Sequence, residues 1–113
     1  MFGKKPSEIY FVDENLKKAF EELKSGTSEE TRLYEWLKRA FEDMQQNAFC
    51  GIQISKRLIP TEYTKRYGIR NLWKYNLPDA WRLLYSVQGS EVKIISIVLE
   101  WMNHKNYDRK FGY

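Results

Sequence analysis

Half-way along this chain the apolar residues change period, and that change limits the folds open to it. Up to Met44 they recur at helical spacing; between residues 71 and 101 they alternate. A 3.6-residue period followed by a two-residue period predicts an α+β domain whose N-terminal helices cover a sheet from the C-terminal half. A chain of 113 residues has room for one core rather than two, so residues 1–113 read as a single domain.

Ile9, Tyr10, Phe11 and Val12 form a short β-prone run, and Asp13 after them is a good N-cap for a helix. Leu16, Ala19, Phe20 and Leu23 give that helix its apolar stripe, and Gly26 predicts a left-handed stop near Ser25. Thr27 and Glu30 match the capping-box pattern, opening a second helix with the stripe Leu33, Leu37, Ala40, Phe41 and Met44. So short a connection predicts a helical hairpin. Glu35, Lys38, Arg39, Glu42 and Asp43 fall on the opposite face and read as a solvated surface.

From residue 47 to residue 60 the helical period fades, and residues 51–54 read either as a short strand or as a connector. Residues 56–70 are basic and polar, with Pro60 and Gly68 as breakers, and read as a surface loop. Residues 71–77, 80–88 and 92–101 then read as three strands of an antiparallel meander, turning at Pro78-Asp79 and at Gly89-Ser90. In the middle strand Trp81, Leu83, Tyr85 and Val87 share one face, and Arg82, Leu84, Ser86 and Gln88 the other. In the strand before it, Trp73, Tyr75 and Leu77 oppose Lys74 and Asn76. The expected architecture is an N-terminal helical hairpin packed on a small antiparallel β-sheet, with a polar sheet face as the place for chemistry. After Trp101 the chain leaves the sheet in a tail dense in cations and aromatics.

A hydrophobic fraction of 42%, with 16% aromatic, is enough apolar surface to offset the entropy of ordering the chain. No apolar run approaches the ~20 residues that span a bilayer, and the first residues lack a secretory pattern, so a cytoplasmic protein with no membrane partner is expected. A single cysteine excludes an intramolecular disulfide and any multi-cysteine zinc site, and Cys50 reads as a small buried hydrophobe. Residues 1–50 carry 8 Lys and Arg against 10 Asp and Glu, a net of −2, whereas residues 51–113 carry 11 against 5, a net of +6. Cations confined to one half suit either a polyanionic partner or a plainly solvated surface.

In layout the chain resembles the RelE/ParE superfamily of toxins from prokaryotic toxin–antitoxin modules. The residues that carry the resemblance are the middle strand Trp81-Arg82-Leu83-Leu84-Tyr85-Ser86-Val87, the strand Leu72-Trp73-Lys74-Tyr75-Asn76-Leu77, and the tail cluster His104-Lys105-Asn106-Tyr107. The resemblance implies a RelE-like fold and the toxin component of a toxin–antitoxin system. It further implies a metal-independent endoribonuclease, an mRNA interferase without cofactor, that cleaves messenger RNA on the ribosome and is neutralised by a cognate antitoxin protein. Other members of the superfamily inhibit gyrase, and a non-catalytic member would bind RNA, the ribosome or a protein. One arginine on the central strand, and Asn76 where a second lysine is expected, depart from the well-known nucleases.

Under the nuclease reading the catalytic residues are Arg82, His104 and Tyr107. The imidazole of His104, with an ordinary pKa of ~6.5, would move a proton. The guanidinium of Arg82 would fork phosphate oxygens, and Tyr107 would orient the nucleophile or stack on a base. Lys74, Lys105, Lys56, Arg57, Lys65 and Arg66 would bind RNA through its phosphates. The rival reading leaves His104 idle, pairs Arg82 with Glu62, Glu91 or Glu100, and uses Tyr107, Phe111 and Tyr113 to staple the tail to the core.

Overall fold

The computed structural model describes residues 5–89 and 93–112. Strand β1 (Glu8–Phe11) leads into helix α1 (Glu14–Leu23), whose first turn is closed by Asp13 accepting from the Leu16 amide at 2.8 Å. Helix α2 (Ser28–Gln46) begins with the capping box that Thr27 and Glu30 predict, both reciprocal bonds being present. Its stripe is buried as expected: Leu33, Leu37, Ala40, Phe41 and Met44 all lie in the core. Gly26 is not left-handed, unlike Gly68 and Gly112. A Cβ at position 26 would lie 2.7 Å from a Glu30 carboxylate oxygen, so glycine here makes room for the capping box. Ala19 is exposed rather than part of the stripe.

Residues 51–54 resolve as a short strand, β2 (Ile52–Ile54). Gly51 allows its entry, because a Cβ there would sit 2.5 Å from the Lys74 carbonyl oxygen and 2.7 Å from the Tyr85 hydroxyl. That hydroxyl accepts from the Gly51 amide and donates to the Ala48 carbonyl. Residues 56–70 are not the expected loop. They form a 3-10 turn (Lys56–Leu58) and helix α3 (Thr61–Tyr67), which starts after Pro60 and is closed by left-handed Gly68. The two breakers are the helix's boundaries.

Strands β3 (Leu72–Asn76), β4 (Arg82–Gly89) and β5 (Ile94–Met102) form the antiparallel meander. Between β3 and β4 the Pro78–Ala80 segment takes a 3-10 turn with left-handed Asp79 and Ala80. The expected turn at Gly89-Ser90 lies partly outside the described residues. The tail is not extended: Asn103 caps and Gly112 closes helix α4 (His104–Phe111).

The sheet has five strands in the order β1-β5-β4-β3-β2 and is mixed rather than wholly antiparallel, since β1 runs parallel to β5, with Ile9 opposite Ser96. A wholly antiparallel sheet was expected because nothing in a four-residue run names its distant partner. Helices also cover both faces. On one, α1 and α2 pack Leu16, Phe20, Leu23, Leu33, Leu37 and Phe41 with Leu83, Tyr85 and Val98, and Phe20 stacks on Tyr34 at 4.7 Å. On the other, Tyr63 of α3 and Tyr107 of α4 join Ile54, Leu72, Leu84, Leu99 and Met102 in a second core. A bulge in β5 pairs Leu84 with Glu100 but Tyr85 with Val98, so Leu99 and Glu100 both turn to this second side. Among the described residues no helix is long and apolar enough to cross a membrane.

Candidate functional site

The two layers differ in charge as well as position. The 3-10 turn, α3 and α4 carry Lys56, Arg57, Lys65, Arg66, Lys105, Arg109 and Lys110 against Glu62 and Asp108, so the basic half of the chain faces away from the α1–α2 layer. The sheet adds two cations on that side. Antiparallel pairing sets Asn76 opposite Arg82 and Lys74 opposite Leu84, which puts Lys74, Asn76 and Arg82 on one face at the end of the sheet where α4 begins.

Tyr107 organises these cations. Its ring is buried in the second core, and the Lys74 amine and the Arg82 guanidinium lie 5.3 and 5.4 Å from the ring centroid. The negative face of an aromatic ring attracts such cations. Arg82 has no carboxylate to neutralise it among the described residues: Glu62 and Glu100 both pair with Lys110 instead, and Glu91 lies outside the described residues. One Arg82 Nη donates to the Trp81 carbonyl at 3.2 Å, while its Nε is buried with no hydrogen-bond partner among the described residues. A buried N–H without an acceptor costs about 1–3 kcal/mol.

His104 opens α4, one turn before Tyr107. Its Nε2 lies 3.0 Å from Oδ2 of Asp108, and its side chain is 60% exposed. The pair needs the four-residue helical spacing of the tail, a segment to which the sequence pattern assigns no secondary structure. Asn103 as N-cap and Gly112 as stop were the signals that could have revealed it. A carboxylate on one ring nitrogen orients the imidazole and leaves the other nitrogen for a substrate.

The remaining expected RNA-binding residues are spread more widely. Lys105 is exposed beside His104; Lys56 and Arg57 lie in the turn after β2; Lys65 and Arg66 end α3, where Arg66 lies over the Tyr67 ring at 5.3 Å. Ser86, placed by alternation on the same face as Arg82, belongs to the structural framework: it is fully buried and donates to the Asn71 carbonyl at 2.9 Å. Asp43, read as a surface charge, accepts the Tyr75 hydroxyl. Burial pushes the Cys50 thiol up from its ordinary value, in keeping with a packing role. Among the described residues no three His, Cys, Asp or Glu side chains gather as a metal cage.

No family model, characterised protein or solved structure matches the chain.

Proposed function

We propose that this chain binds RNA through the Lys74–Arg82 cluster and cleaves it without a metal, as a RelE-like toxin acting on messenger RNA at the ribosome and held in check by a separate antitoxin. The observation that carries the reading is Arg82, fixed beside Lys74 on the Tyr107 ring with no carboxylate paired to it among the described residues. A phosphodiester takes charge-assisted bonds from both cations.

Cleavage on this reading requires His104 to reach the phosphate held by Arg82 and Lys74. The ribose 2′-oxygen attacks phosphorus, its proton passing to His104, and the bond to the 5′-oxygen breaks with a proton returned to that oxygen. The products are a 2′,3′-cyclic phosphate and a 5′-hydroxyl. Arg82 and Lys74 stabilise the extra charge at phosphorus, and Asp108 orients His104 and stabilises its cation. Tyr107 acts here as the platform for the cations. Its buried ring is not placed to stack on a base.

The burial of Tyr107 and the exposure of His104 also suit a second reading, in which the same cluster binds RNA without cutting it. Single-turnover cleavage of a ribosome-bound message, run beside a binding assay, separates the two. The nuclease reading expects Arg82→Ala to impair binding and cleavage, and His104→Ala to lower the rate by about 10²–10⁴-fold with binding intact. Wild-type protein that binds programmed ribosomes and leaves the message whole overturns it.

A further inference from the structure

Beside α4, a cavity of about 460 Å³ opens between the helix and the end of β5. Space exists there because β1 stops short: its ladder ends with Phe11 opposite Val98, and β5 runs on to Met102. The walls include Trp81, Trp101, Asn103, Asn106 and Arg109, together with Glu100 and Lys110, which pair with each other at 3.3 Å. Both indoles are half-buried and pack against the first core. Both residues also border the cavity.

The volume falls within the range of small-molecule sites, and the lining is specific in kind. Two indoles present flat apolar surface to another flat ring. Asn106 offers an amide donor and acceptor, while the Asn103 side-chain oxygen is already taken by the Asn106 backbone amide, leaving its NH2 group as a donor. Arg109 lies three residues from Asn106 on α4 and is exposed; its neighbour Lys110 is engaged by Glu62 and Glu100. A planar ring with hydrogen-bonding edges, joined to an anion, matches all of these groups.

We propose that this cavity is a nucleotide-binding subsite, with the base against Trp81 and Trp101, its edge on the asparagine amides and a phosphate on Arg109. Trp81 immediately precedes Arg82 and receives a hydrogen bond from it, so the subsite adjoins the phosphate-binding cluster. Occupation by a nucleotide within an RNA chain rests on the proposed function above; occupation by a free nucleotide does not.

Tryptophan emission of the full chain, titrated with AMP, UMP, ribose 5-phosphate and a short oligoribonucleotide, tests the idea. Both nucleotides should quench saturably and ribose 5-phosphate should not. Arg109→Ala should raise the Kd for AMP about tenfold or more. Trp81→Phe should bind AMP with a smaller quench, which keeps the test informative should Trp81→Ala fail to fold. Absence of saturable quenching by either nucleotide, or quenching indifferent to Arg109→Ala, overturns the subsite. Arg82→Ala should weaken the oligoribonucleotide and spare AMP. AMP binding with no effect of Arg82→Ala on the oligoribonucleotide overturns the RNA reading and leaves the subsite standing.

Discussion

The guanidinium of Arg82 lies over the ring of Tyr107, 5.4 Å from its centroid, which ties the central strand to the C-terminal helix. The contact joins a residue fixed by sheet register to one fixed by the packing of α4. Tyr107→Phe preserves the ring and should retain α4 and the binding of RNA. Tyr107→Leu removes the cation platform and part of the second core, and should destabilise the protein by about 2–4 kcal/mol while weakening RNA binding. Denaturant titration of both variants, with a filter-binding assay, makes the comparison. Equal RNA affinity in the two would show that the ring does not position the cations.

Leu37 is fully buried between α2 and the sheet. Leu37→Ala should cost about 2–5 kcal/mol in a denaturant titration, because it removes a fully buried side chain from the first core and leaves a cavity there. A loss near zero would contradict the burial of this helix face.

How far such features were legible depended on whether their signals were local. The α2 stripe was readable because five apolar residues repeat along a nineteen-residue helix and its capping box lies within four residues. The alternation that separates Lys74 and Arg82 from the core was readable for the same reason. Helix α4 was not: it has eight residues, most of them polar, and its stability comes from Tyr107 and Phe111 packing on the second core, a tertiary fact. Missing that helix hid the spacing of His104 and Asp108. Likewise Pro60 and Gly68 marked both ends of α3 but were read as breakers of a loop. The parallel partner of β1 lies at the other end of the chain, beyond the reach of any local pattern.

Two buried phenols and a half-buried one make stability fall at alkaline pH. Burial and the hydrogen bond to the Asp43 carboxylate push Tyr75 up to about 12. Burial, assisted by the bond to Glu100, raises Tyr63, and burial raises Tyr85. Each folded phenol keeps its proton where the unfolded chain, with an ordinary tyrosine pKa of ~10, has lost it. The folded state then binds more protons, so stability is level below about pH 10 and declines above it. Lys110 acts in the same sense: burial works against its charge, yet its bonds to Glu62 and Glu100 hold its pKa above the ordinary value. Urea midpoints measured at neutral and alkaline pH should show this decline, and Tyr75→Phe should make it shallower. A flat profile through pH 11 would contradict the burial of these hydroxyls.

Gly51 stands where β2 meets the rest of the sheet, and its tolerance of close backbone approach cannot be supplied by another residue. A methyl group at this position would collide with the carbonyl of Lys74 and the hydroxyl of Tyr85. The Tyr85 ring is fully buried and its hydroxyl is held by Ala48, so the ring has nowhere to go; β2 must move instead. Gly51→Ala should therefore destabilise by about 1–3 kcal/mol, as overpacking does elsewhere. It should also speed amide exchange along residues 52–54 and shift Lys74, whose carbonyl is the obstacle, away from the Tyr107 ring. Hydrogen exchange locates the first effect and RNA affinity reports the second. A variant with wild-type stability and unchanged exchange in β2 would show that the strand yields without strain, and that Lys74 does not depend on this junction for its place.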